Sequence, residues 1–311
     1  MMAVATREAY GKALAQIVVE DPNVVVMDAD LSKSTKTADA KAVCPERHFN
    51  AGIAEADLMG ISAGLAASGK VVYASTFAVF AAGRAFDQIR NSIAYPKLNV
   101  KICATHAGLT VGEDGASHQS VEDIALMRSI PNMKVLQPCD DIETEAMIKA
   151  IKDLDGPVYV RLGRMGVERI HDESYQFHLG KGEILQSGRK VAILATGMMV
   201  QQALKAAELL ETKSVIKPTV VNFASIKPLD EDLLLTIAKT HDLLVTCEEA
   251  NVLGGFGSAV CEVLSEKHPI KIVRIGINDT FGESGKPDAL IEKYGLSAKA
   301  IADTVSTQLK K

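Results

Sequence analysis

VVYASTFAVFAAGRAFDQIRNSIAYPKLNVKICATHAGLTVGEDGASHQ, residues 71–119, decides the fold. It opens on a β-branched run, Val71–Ala74, and continues through a helix-period segment, Ala78–Ala94. A second apolar run, Val100–Ala104, follows and gives way to a polar, glycine-bearing loop, Thr105–Gln119. Strand, helix and strand in that order are the unit of a parallel sheet, because parallel neighbours need a crossover connection. Runs with almost no polar interruption suit strands buried on both faces.

The same alternation extends in both directions. Further apolar runs lie at Val24–Met27, Val158–Arg161, Val191–Ala195, Thr219–Phe223, Leu243–Thr246 and Ile270–Ile275. Helix-period segments separate them. Arg7–Val19 carries Tyr10, Leu14, Ile17 and Val18 on one stripe, and Ala54–Ala67 and Asp140–Leu154 follow. The second half holds Met199–Glu211, Asp230–Thr240, Phe256–Lys267 and Ser297–Lys310. The pattern predicts an α/β protein with two open, mostly parallel sheets and helices on both faces. Gln176–Lys190, with Gly180, Gly182 and Gly188 among polar residues, is the boundary between a first domain at 1–180 and a second at 190–311. Two domains suit a chain of 311 residues at roughly 150 residues per domain.

Composition excludes several classes of function. Hydrophobic residues at 47% and charged residues at 23% describe a globular chain, not a disordered one. A net charge of -5 without a basic block argues against nucleic acid, since phosphate neutralisation needs clustered Lys and Arg. No apolar run is long enough to span a membrane. Met1–Tyr10 lacks the apolar core of a secretory signal. Cys44, Cys103, Cys139, Cys247 and Cys261 are scattered and form no C-x-x-C pair, so they read as free thiols in a reducing cytoplasm. No zinc spacing is present, and no metal ligands are expected on this chain.

Two glycine patterns fail as nucleotide loops. Gly64–Lys70 starts like a P-loop, but Val71 stands where Ser or Thr must hold magnesium, and the order runs from helix to strand. Gly254-Gly255-Phe256-Gly257 lacks the third glycine of a dinucleotide fingerprint and reads as a tight strand-to-helix turn. Thr105–Gln119 is different. It gathers His106, Glu113, Asp114 and His118 at the carboxyl end of a strand, where open α/β sheets place ligands. Proton transfer or sugar binding suits that set, and a solvated loop or a metal site are the weaker readings.

Five stretches stand out together: Gly52–Ala66 (GIAEADLMGISAGLA), Ser75–Phe80 (STFAVF), Gly112–Asp123 (GEDGASHQSVED), Pro131–Asp140 (PNMKVLQPCD) and Gly156–Arg164 (GPVYVRLGR). On them the chain resembles the C-terminal half of transketolases, the pyrimidine-binding domain followed by the C-terminal domain. The resemblance covers nearly the whole chain. It implies thiamine diphosphate shared between two chains, with this chain gripping the aminopyrimidine. Glu55 then matches the cofactor-activating glutamate, whose carboxyl group meets the ring nitrogen N1′. A solvated Glu, with a pKa near ~4.3, is too acidic to hold that proton at neutral pH, so the role requires burial. Phe77 and Phe80 match the aromatic pair around the pyrimidine, while Gly83 stands where the family often has a third aromatic.

The resemblance further implies a sugar-handling role for His118, a hydroxyl contact for Asp114 and a sugar-phosphate contact for His106. Arg7, Ser34 and Arg164 match phosphate-binding positions, and Asp30 matches a position linked to cofactor assembly between chains. Arg161 is set aside, because strand alternation turns it to the other face. The family's diphosphate and magnesium motif, GDG followed further on by Asn, is missing. The resemblance therefore implies a partner subunit that carries the diphosphate-binding domain and the Mg2+ ligands, most simply in an α2β2 assembly. Two-carbon ketol transfer between sugar phosphates is the activity implied. The β subunit of 2-oxoacid dehydrogenases, 1-deoxyxylulose-5-phosphate synthase and a non-catalytic scaffolding subunit are the alternatives. The second domain is expected to assist dimerisation and to carry no catalytic group.

Overall fold

Why the apolar runs stack becomes plain in the computed structural model, which describes residues 3–214 and 216–310. The outermost ends of the two predicted domain ranges lie outside these residues. Val24–Asp28, Val71–Phe77, Val100–Thr105 and Val158–Arg161 pair in parallel, and nearly every one of their side chains is buried. Burial on both faces is what their unbroken apolar character requires. His48–Asn50 extends this sheet on one edge, and Lys134–Leu136 extends it on the other. The second sheet runs Ile272–Ile277, His241–Asn251, Lys190–Ala195, Thr219–Asn222 and Glu183–Gln186, and only the last strand is antiparallel. Val4–Ala5 and Gly166–Val167 make a separate two-stranded ribbon. The fold is the α/β arrangement of mostly parallel sheets that the alternation predicted.

One strand does not respect the proposed boundary. Ser225–Lys227 belongs to the second half by sequence but pairs antiparallel with Lys134–Leu136, completing the seven-stranded sheet. A shared core follows: Phe223, Ile226 and Leu234 cluster with Ile102, Ile124 and Met127. The helix Thr6–Glu20 buries Tyr10, Leu14, Ile17 and Val18, the stripe read from its sequence. Ala78–Ala94 departs from a regular helix and contains two π-helical turns, Phe80–Arg84 and Gln88–Ala94. Gly83 weakens helical preference there, and such widened turns re-aim side chains. Four cysteines are buried, Cys261 is partly exposed, and all five are free thiols. Among the described residues no helix is long and apolar enough to cross a membrane.

A buried polar knot ties the two sheets together. Arg161 Nε lies 2.9 and 3.1 Å from the Asp123 carboxylate, and Tyr159 donates to the same group at 2.8 Å. Arg161 Nη2 donates to the backbone carbonyls of Ser120 and Glu249. The strand alternation that set Arg161 aside thus delivers it to the junction between the end of the 105–119 loop and the second sheet.

Candidate active site

The site forms at the carboxyl ends of Val71–Phe77 and Val100–Thr105. Four rings meet there. Phe77 stacks on Phe80 with centroids 5.7 Å apart and on His106 at 3.8 Å. His118 presents its ring edge-on to both, 6.3 Å from Phe77 and 5.5 Å from Phe80. Offset and edge contacts of this kind are the favoured geometries of aromatic pairs.

Glu55 is the first residue of the helix Glu55–Ala67, where the positive end of the helix dipole favours a carboxylate. The preceding turn is shaped by Gly52 at φ 78°, whose amide donates to Asn50 Oδ1. The Glu55 side chain is only 5% exposed, and Arg84 Nη1 donates to its Oε1 at 3.2 Å. Arg84 also lies across Phe80, its Cζ 4.2 Å from the ring centroid. Sequence reading did not find Arg84. Its signal was a lone cation in the otherwise small and apolar stretch AVFAAGRAF.

His106 sits at φ 56°, a left-handed conformation uncommon outside glycine. Its Nε2 is 3.2 Å from Arg7 Nη1 and its Nδ1 is 2.9 Å from Thr105 Oγ1. Guanidinium can only donate, so Nε2 accepts and the ring proton resides on Nδ1. Burial, together with the charges of Arg7 and Arg164, pushes the His106 pKa down to about 3. The ring is therefore neutral at neutral pH. Arg7 Nη1 also donates to the Ser34 backbone carbonyl at 3.0 Å, and its buried Nε has no partner among the described residues.

The loop that follows is fixed by the second sheet. Glu249 Oε1 accepts from Thr110 N at 2.6 Å. Gly108, at φ 81°, must lack a side chain, because a Cβ there would lie 2.4 Å from the Glu249 carboxyl group. Gln119 donates to the carbonyls of Leu109, Gly112 and Glu283, and Ser284 donates to that of Glu113. Asp114 is half-exposed, with Arg164 Nη1 3.6 Å from its Oδ2; Arg164 also donates to the Val111 carbonyl.

The predicted residues thus fall into connected groups. Phe80, Phe77, His106, Arg7 and Ser34 form one continuous chain of contacts, with His118 against the rings and Glu55 joined to Phe80 through Arg84. Asp114 and Arg164 pair at the far end of the loop. Asp30 stands apart at the sheet edge, where it exchanges hydrogen bonds with Asn50. Glu249 holds the loop through Thr110, and Glu248 holds a helix start. Glu248 accepts from the amides of Phe256 and Gly257.

Cys139, Asp140 and His171 are the metal-ligating types that cluster among the described residues. Both Asp140 oxygens accept hydrogen bonds, and His171 Nε2 lies 2.9 Å from Glu183 Oε2. Burial alone would lower the His171 pKa; Asp140, Glu143 and Glu183 outweigh it and hold the ring at about 9. An imidazolium between carboxylates is an ionic tie, and the Cys139 thiol beside it accepts from Asn222 Nδ2 at 3.5 Å.

Comparison with known proteins places these features in a family. The model of the transketolase pyrimidine-binding domain matches residues 2–168, and that of the transketolase C-terminal domain matches residues 180–301. A chain of Methanocaldococcus jannaschii named as a transketolase C-terminal section is 50% identical over 308 residues, covering 98% of this chain and 96% of its own. A 6-deoxy-6-sulfo-D-fructose transketolase subunit of Clostridium sp. is 42% identical over 95% of this chain and 91% of its own. A solved split-gene transketolase, described as an inactive β4 tetramer, superposes with a TM-score of 0.92 at 54% identity, covering 99% of both chains.

Proposed function

The chain belongs to the transketolase family, and from that premise we propose that it is the pyrimidine-binding half of a two-subunit, thiamine-diphosphate-dependent transketolase. The observation that carries the reading is the buried Glu55 carboxylate, joined through Arg84 to the ring of Phe80, which stacks on Phe77. A flat aromatic face next to a carboxyl group fits a planar aminopyrimidine, which offers a π-face and hydrogen-bonding nitrogens. When bound, the cofactor supplies the nucleophilic carbon through which a ketol carbon–carbon bond is broken and remade.

This chain's residues do the rest. Glu55 holds a proton toward the pyrimidine ring. Phe77 and Phe80 seat the ring. His118 and Asp114 meet substrate hydroxyls at the open side of the ring cluster. His106 takes a part different from proton shuttling: neutral and with Nε2 engaged, it anchors Arg7. Arg7 and Arg164 lower the same imidazole's pKa, so their field is positive at this point and suits a phosphate. The orphaned Arg7 Nε is a donor awaiting an acceptor. In this reading the diphosphate and Mg2+ would lie on a partner subunit, in an α2β2 assembly. The inactivity of the β4 neighbour supports that requirement.

Two-carbon transfer from xylulose 5-phosphate to ribose 5-phosphate, by this chain mixed with such a partner, tests the reading. Arg7→Ala is expected to raise KM for phosphorylated substrates by about 10–100-fold, the worth of a lost charge-assisted hydrogen bond. The kcat and the KM for an unphosphorylated ketose should change little. Equal effects on both substrate types would remove phosphate binding from Arg7.

A further inference from the structure

Arg84 makes two contacts that are the ones the pyrimidine site has to offer. Its guanidinium covers the face of Phe80 with Cζ 4.2 Å from the centroid, and its Nη1 reaches Glu55 Oε1 at 3.2 Å. A guanidinium is planar and presents N–H donors along its edge. An aminopyrimidine is likewise planar, so it can take the same place over Phe80 and beside Glu55, although its ring nitrogen accepts from the carboxyl group where the guanidinium donates. The side chain is 57% exposed, while its carboxylate partner is buried. Beside it, Gly83 faces open space, with no heavy atom within 4 Å of the position a Cβ would take. The π-helical turn Phe80–Arg84 places ring and cation on the same side.

We propose that Arg84 is a built-in placeholder for the cofactor's aminopyrimidine: it covers Phe80 and pairs with Glu55 in the free chain, and it swings out beside Gly83 when the ring arrives. The proposal rests on the reading of Glu55, Phe77 and Phe80 as the pyrimidine site. Ion pairs and cation–π contacts with one exposed partner are weak, so the arriving ring can displace the side chain. Arg84 compensates the buried Glu55 carboxylate until the ring arrives, and the proton that Glu55 then holds toward the ring removes the charge, so the costly buried and uncompensated state is avoided at both stages.

Two measurements test it. Calorimetric titration of thiamine diphosphate with Mg2+ into the reconstituted pair compares the wild type with Arg84→Ala. Removing the competitor should tighten binding about fivefold, equivalent to ~1 kcal/mol. Arg84→Met, which keeps the bulk of the side chain without charge or plane, should also bind more tightly, and it serves as the comparison if Arg84→Ala fails to fold. The second measurement needs no cofactor. Unfolding of the isolated chain should show non-additive effects of Arg84→Ala and Glu55→Gln, because the two groups interact directly. Unchanged or weaker binding by both Arg84 variants, beside normal wild-type binding, overturns the placeholder and leaves the site reading intact. Additive unfolding effects overturn the contact itself. A wild-type pair that binds no thiamine diphosphate overturns the placeholder and the site reading together.

Discussion

Glu55→Ala is expected to lower turnover of the reconstituted enzyme at least about 10²-fold, the usual worth of a positioned proton-transfer group. The geometry makes the test clean. Glu55 begins a helix whose first turn also carries Asp57, so the dipole keeps an acidic partner. Its side chain contacts Arg84, which is half-exposed and can turn to water. Folding should therefore survive the change, and far-UV circular dichroism together with the unfolding midpoint would verify it. A loss confined to kcat, with substrate KM little altered, is the signature of a group that acts on the reacting cofactor. Near-normal turnover in a folded variant would remove Glu55 from the mechanism.

Asp123→Ala should destabilise the chain by about 3–5 kcal/mol, the cost of stranding a buried charge. Arg161 is 1% exposed and Asp123 fully buried, so the guanidinium cannot reach water without opening the junction. Tyr159 would lose its acceptor in the same step. The knot also fixes Ser120 and Glu249, and Glu249 holds Thr110, so the substrate loop should loosen as stability falls. Urea unfolding of the isolated chain measures the first effect. Replacing Asp123 and Arg161 together by apolar residues should recover part of the loss, because no uncompensated charge remains. A loss below about 1 kcal/mol for Asp123→Ala alone would put the variant among ordinary substitutions and deny the knot its role.

How much of this was legible in the sequence depended on how far each signal reached along the chain. The long strands were visible because burial on both faces leaves unbroken apolar runs. His48–Asn50, Lys134–Leu136 and Glu183–Gln186 were not, since three or four residues are too few to carry a periodicity. Ser225–Lys227 joins the first sheet through a pairing some ninety residues distant, which no local pattern encodes. The segment Ala78–Ala94 satisfies a helical period, but it holds two π-helical turns that the period does not distinguish from a regular helix.

The site divides in the same way. The loop Thr105–Gln119 announced itself by its density of polar groups beside a strand end. Phe77, Phe80, His106 and His118 do meet as rings, and Arg7 does lie on His106. What spacing could not reveal were the contacts that assign roles. The tautomer of His106 follows from Arg7, 99 positions away, and the partner of Glu55 lies 29 positions away. Glu249, which shapes the loop from the second sheet, lies beyond the apolar run Leu243–Thr246 and 139 positions from the Thr110 amide it accepts from.

The most direct test of the two-subunit account is two-carbon transfer assayed with this chain alone, with the diphosphate-binding partner alone, and with both together, at saturating thiamine diphosphate and Mg2+. The account expects activity in the mixture only, rising with partner until the subunits are equimolar. Activity from this chain alone would contradict it, because the chain would then hold the diphosphate itself.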